Sequence, residues 1–97
     1  MTLKEHLKAI GLTNREIDVA YLTAFGLSNR EIGNEIFLSE STVKFHLTNV
    51  YKKLTLESRA KLMYMCFSYM RQEELEGFKS ARTIYADDVL APGLVGL

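Results

Sequence analysis

Two N-terminal capping boxes, Thr13-x-x-Glu16 and Ser28-x-x-Glu31, stand on either side of Gly26. In such a box the hydroxyl accepts from the N–H three residues on, and the carboxylate accepts from the N–H of the hydroxyl residue. Two of the orphan donors at a helix start are thereby satisfied. Glycine is the natural left-handed stop of the helix before it. One helix must therefore end, and the next begin, within a few residues. That requirement excludes a single long rod and leaves short helices folded across one another.

The apolar spacing fills in the elements. Leu3, Leu7 and Ile10 lie three to four apart, so a short first helix spans about residues 2–10 and stops at Gly11. The first box opens a helix from Asn14 to about Phe25, with Ile17, Ala20, Tyr21 and Ala24 on one face. The second opens a short helix with Ile32 and Ile36 turned inward. Ser39 is a good cap for a helix over Glu40–Leu54. A last helix runs from Arg59 to about Glu76, where Gly77 ends it. Two short helices in a tight turn, with another packing behind, describe a helix-turn-helix. The predicted fold is all-α: an N-terminal helix over 1–11, a four-helix helix-turn-helix domain over 12–76, and a tail over 77–97.

The helix over 40–54 carries the chemistry. At about 100° per residue, Val43, Leu47, Val50 and Leu54 form one narrow apolar stripe for the core. Opposite them lie Ser41, Phe45, Thr48 and Lys52. Lys44 and Tyr51 occupy one flank, and Thr42, His46, Asn49 and Lys53 the other. Cations, hydroxyls and an amide suit phosphates and base edges in a major groove. Phe45 is the misfit, because a phenyl ring gains nothing in water. It either tucks against a neighbouring element or meets a thymine methyl, a sugar or a protein partner.

Charge agrees with this placement only locally. Acids and bases balance at 12 each across 97 residues, so the whole chain has no net charge. Residues 41–61 nevertheless hold five cations, Lys44, Lys52, Lys53, Arg59 and Lys61, against the single acid Glu57. Acidic segments flank that block, giving a basic face on a neutral protein. A lone cysteine, Cys66, excludes an intrachain disulfide, and a reducing cytoplasmic home is the simpler expectation. No run reaches the ~18 apolar residues of a membrane span. Two histidines and one cysteine form no metal-ligand pattern, and no phosphate loop or nucleophile elbow is present. No cofactor and no enzyme activity is expected; His6 and His46 lie on separate helices without an acid or nucleophile partner.

The strings Leu12-Thr13-Asn14-Arg15-Glu16, Gly26-Leu27-Ser28-Asn29-Arg30-Glu31-Ile32 and Leu38-Ser39-Glu40-Ser41-Thr42-Val43-Lys44-Phe45-His46 resemble a LuxR-type helix-turn-helix domain. Val50-Tyr51-Lys52-Lys53-Leu54 and Glu57-Ser58-Arg59 extend the match, which covers about residues 12–70. Sigma-factor region 4 has a similar layout, but the Thr-Val-Lys-Phe-His string and the Lys-Leu-x-x-x-Ser-Arg end favour the LuxR type. The resemblance implies sequence-specific binding of double-stranded DNA and bacterial transcription regulation, with the Thr-Val-Lys helix in the major groove. It implies base-facing roles for Lys44, Phe45 and Thr48, with Ser41 beside them by facing. It implies backbone contacts for Ser28, Asn29, Thr42 and His46, to which Asn49, Lys52 and Lys53 are added by facing and charge. Gly33 replaces the family's usual alanine, at about 0.5–1 kcal/mol. Thr55 replaces its usual glycine, so the turn at 55–57 is expected to differ.

The last predicted helix carries two apolar stripes, Leu62–Met65–Cys66–Tyr69 and Met63–Phe67–Met70. One closes the core. The other needs a cover, and a homodimer through Met63, Phe67 and Met70 supplies it and fits a two-half-site operator. The first helix or the tail is the other candidate cover. The same stripe offers an alternative function, an interaction module that pairs with a larger helix-turn-helix regulator; RNA polymerase is a further candidate partner. The chain is either a free-standing regulator or an excised output domain, and reads as the first. Its tail, with Asp87, Asp88 and Pro92-Gly93, docks on the domain, frays or binds a partner, and its acids are candidates to shield the basic helix.

Overall fold

The helices start where their hydroxyl caps place them. The computed structural model describes residues 1–76. In order come α1 (Leu3–Ile10), α2 (Asn14–Ala24), α3 (Asn29–Ile36), α4 (Glu40–Leu54) and α5 (Arg59–Tyr69). Residues 72–76 are helical again. The expectations for the tail, whether docked, frayed, partner-binding or shielding, lie outside the described residues.

Both boxes close reciprocally. Thr13 N–H donates to Glu16 Oε1 at 2.9 Å while Glu16 N–H donates to Thr13 Oγ1 at 3.2 Å. Ser28 and Glu31 repeat the exchange at 2.8 and 3.2 Å. A third box, Thr2 with Glu5, opens α1. Each hydroxyl cap contributes about 1 kcal/mol. Ser39 caps α4 by accepting from Thr42 N–H at 3.1 Å.

The second helix, α2, is the axis of the domain, with α1, α3, α4 and α5 all packed on it. Its Val19, Ala20 and Ala24 are fully buried, and the two alanines keep the approach of its neighbours close. Leu3 and Leu7 of α1, Ile32 of α3, Val43 and Val50 of α4, and Leu62 and Cys66 of α5 complete one continuous core. Burying each such aliphatic side chain is worth about 1.5–3 kcal/mol. The core therefore fixes α4 by one stripe, from one side.

Three expectations are corrected. The last helix does not run unbroken to residue 76. It ends at Tyr69, and Met70 takes an extended conformation (ψ 137°) that turns its side chain into the core. The break lets Glu74 reach back to α1, where both carboxylate oxygens accept from Leu3 N–H at 3.0 and 3.1 Å. Tyr69 stacks on His6 across the same junction, with ring centroids 4.7 Å apart.

The turn after α4 keeps its left-handed cap despite lacking glycine. Thr55 adopts φ 56° and ψ 47°, and its N–H donates to carbonyls of the last turn. The missing glycine appears as backbone strain of about 1–2 kcal/mol, not as a new turn.

At Gly33 the sign reverses. A Cβ there would collide with the backbone carbonyl oxygen of Leu38, so alanine is excluded unless the turn moves. Helix α3 ends three residues later, at Ile36, and its cap Phe37 has φ 60°. The close approach of Gly33 to Leu38 is what makes the α3–α4 turn tight.

Candidate nucleic-acid interface

Helix α4 divides cleanly. Val43 and Val50 are fully buried, Leu47 nearly so, and Leu54 packs against the core at the end of the stripe. On the far side Ser41, Lys44, Phe45, Thr48 and Lys52 are exposed, while Thr42, His46, Asn49 and Tyr51 are half-buried on the flanks. Lys44 and Lys52 make no ion pair among the described residues. Phe45 does not tuck away: its ring is 62% exposed, with the His46 ring 5.8 Å off.

The hydroxyls of this face are partly committed, which decides what they offer. Thr48 Oγ1 donates to the Lys44 carbonyl at 2.9 Å, leaving its lone pairs and methyl outward. Ser39 Oγ donates to Thr42 Oγ1 at 2.8 Å, so the Thr42 proton is left to donate elsewhere. Ser41 Oγ lies 3.2 Å from Ser39 Oγ.

Lys53 is already engaged within the domain. Expected on a phosphate, its Nζ instead donates to Glu16 Oε1 at 2.7 Å and to the Gly11 carbonyl at 3.3 Å. The contact ties the C-terminal end of α4 to the α1–α2 corner. Glu16 is 5% exposed. Burial pushes its carboxyl up, but the Lys53 ammonium and the Thr13 N–H outweigh burial and hold it below the ordinary value.

Asn29 is also partly engaged. Arg59, the first residue of α5, donates through one guanidinium nitrogen to Asn29 Oδ1 at 3.1 Å and through the other to the Leu27 carbonyl. Ser28 is exposed at the same corner, its hydroxyl accepting from Glu31 N–H. Tyr51 stands near Arg59: burial raises its hydroxyl pKa, and the guanidinium opposes that rise.

The proposed dimer stripe is not the open strip that its spacing suggests. Met70 is 8% exposed and belongs to the chain's own core, because the helix has ended before it. Met63 and Phe67 are half-buried, and Phe67 packs against the core. The large exposed ring of α5 is Tyr64, at 76%. Cys66, between the stripes, is fully buried, and burial pushes its thiol up to about 12.

Two features escaped sequence reasoning. Phe37, in the α3–α4 turn, is 93% exposed as well as left-handed. A phenyl at the stop of an eight-residue helix was its only local signal. Glu16 was read as a cap alone, and nothing near it in sequence announces a lysine 37 positions away.

A model of the luxR family of bacterial regulatory proteins matches residues 11–66, which take in α2, α3 and α4 whole and most of α5. The chain belongs to the luxR family. Its helix-turn-helix is thus of the kind used in DNA-binding regulation, and the family is not one of enzymes. The spore germination protein GerE of Bacillus subtilis is 35% identical over 65 residues, 67% of this chain and 84% of that protein. The transcriptional regulatory protein LiaR of Bacillus subtilis is 44% identical over 50 residues, 52% of this chain. A nitrate/nitrite response regulator protein homolog of Haemophilus influenzae is 42% identical over 60 residues, 62% of this chain. This luxR-family chain spans only 24% and 29% of those last two proteins. No solved structure matches it. Among its described helices none is long and apolar enough to cross a membrane.

Proposed function

We propose that the protein regulates transcription by placing α4 in the major groove of double-stranded DNA. The observation that carries this reading is the open outer face of α4: no described element lies over Lys44, Phe45, Thr48 or Lys52. Lys44 donates to guanine O6 and N7, Thr48 accepts from an exocyclic amine or rests its methyl on thymine, and Phe45 packs on thymine methyls, with Ser41 beside them. Thr42, His46, Asn49 and Lys52, with Ser28 and Asn29 at the start of α3, hold the sugar-phosphate backbone and set register. Lys53 is withdrawn from that set.

Pairing of two copies through α5 is the second part. The 76% exposure of Tyr64 beside the half-buried Met63 and Phe67 supports it. A twofold pair presents two α4 helices to two half-sites. Pairing with a larger regulator or with RNA polymerase would use the same helix, but no described feature favours either over a second copy.

The test is selection of bound duplexes from a random pool, followed by mobility shifts. A symmetric half-site is expected. Lys44→Ala should lower affinity for the selected duplex by about 1–3 kcal/mol and hardly affect a scrambled one. Equal losses on both would remove the base-reading role, and retention of no duplex by the wild-type chain would remove the reading itself.

A further inference from the structure

Arg59 lies on α5, away from the groove-facing side of α4, yet its side chain ends at the corner where α3 begins. Two of its five N–H donors go to Leu27 O and Asn29 Oδ1. Both are neutral acceptors, and no carboxylate pairs with this guanidinium among the described residues. Two consequences follow from elementary chemistry. A guanidinium has only donors, so the atom of the Asn29 amide that faces it must be the oxygen. The amide NH2 is then forced to the other side. Asn29 makes no other side-chain hydrogen bond among the described residues. No buried side-chain nitrogen or oxygen lacks a partner among the described residues, so that NH2 is open to solvent.

Asn29 is the first residue of α3, directly after the Ser28 cap. Its outward group is therefore a pure donor, beside the positive end of the helix dipole and an uncompensated cation. We propose that Arg59 is a positioning residue for DNA binding: it fixes the polarity of the Asn29 amide so that two N–H groups, and no carbonyl, face the phosphate backbone. This deepens the reading above and rests on it. Without Arg59 the neutral amide can turn over and present its oxygen to a phosphate. Arg59 removes that repulsive state. It does so from α5, so the orientation also depends on α5 being seated on α2.

The test uses the full chain and a fluorescein-labelled duplex of scrambled sequence, since backbone contacts do not require a particular operator. Asn29→Asp is the informative variant. The carboxylate keeps the shape, pairs with Arg59 and suits the first turn of a helix, so the thermal midpoint should hold or rise. Its donors are gone and a like charge faces the phosphate, so affinity should fall about tenfold or more. A variant as stable as wild type with unchanged affinity overturns the inference.

A double-mutant cycle separates positioning from direct contact. Arg59→Lys keeps the charge but loses the fork that reaches both acceptors. It should weaken binding several-fold in the wild-type background and not at all in the Asn29→Ala background, where no amide remains to orient. Equal losses in both backgrounds would mean that Arg59 touches DNA itself or acts only on the fold, and would overturn the inference. A wild-type chain that retains no duplex would remove the underlying reading, and this inference with it. Binding by wild type with an indifferent Asn29→Asp removes this inference alone.

Discussion

Lys52 and Lys53 are neighbours in sequence and about 100° apart on the helix. Lys52 points away from the protein and pairs with nothing among the described residues. Lys53 is drawn back onto Glu16 and Gly11. The same residue type is thus left open to solvent at one position and tied into the architecture at the next. The difference also revises the charge reading. Of the five cations in residues 41–61, Lys53 and Arg59 are spent inside the domain, and Lys61 pairs with Glu57 at 3.3 Å. Only Lys44 and Lys52 remain for a phosphate or a base. A block that looks strongly basic as a string is modestly basic as a surface.

Replacing each lysine is the sharpest way to break the comparison. Lys53→Met should lower stability by about 2–3 kcal/mol, because it strands a buried carboxylate. Lys52→Met should change stability by less than about 0.5 kcal/mol. Denaturant unfolding of the two variants measures both, and equal losses would dissolve the contrast.

Acid sharpens it. The Glu16 carboxyl is held below its ordinary value of 4.5 in the folded chain. Its contribution is therefore complete above that value and is lost as pH falls beneath it, through the folded pKa. Wild type should exceed Glu16→Gln by about 1–2 kcal/mol at neutral pH, with the gap closing as the carboxyl protonates. Urea midpoints across an acid series would show it; a constant gap would mean that the charge on Glu16 contributes nothing.

A smaller effect, of opposite sign, is expected between Lys53 and Arg59. Thr55→Gly relieves the left-handed strain at the α4–α5 turn and should raise stability by about 1 kcal/mol. The smallest belongs to the open lysine. Lys52→Ala should weaken cognate and scrambled duplexes alike and reduce the salt slope by about one, with no shift in unfolding.

What the sequence revealed was what local rules govern. The starts of α2, α3 and α4 follow from hydroxyl caps whose partners lie three residues away, and the inner stripe of α4 follows from helical period alone. The break at Met70 was hidden because Met63, Phe67 and Met70 continue a helical spacing without interruption. Only the hydrogen bond that Leu3 N–H donates to Glu74, 71 positions away, shows why the chain bends there. The partners of Lys53 and Asn29 were hidden for the same reason. Those partners stand 37 and 30 positions off, and facing says nothing about which solvent-side group a neighbour will claim. Gly33 was judged by intrinsic propensity, which prices a helix in isolation; contact with the Leu38 carbonyl overrides it. On the outer side of α4, facing identified the exposed residues, Lys44, Phe45, Thr48, Ser41 and Lys52, because exposure is the complement of a stripe that period does predict.

The sulfur of Cys66 has a practical consequence. Enclosed among α5 and its neighbours and protonated at any physiological pH, it is invisible to an alkylating reagent while the bundle stays shut. Modification must wait for α5 to lift from α2, so the rate of labelling counts those openings. Arg59 rides on the same helix, and a duplex that grips the α3 corner should slow the clock.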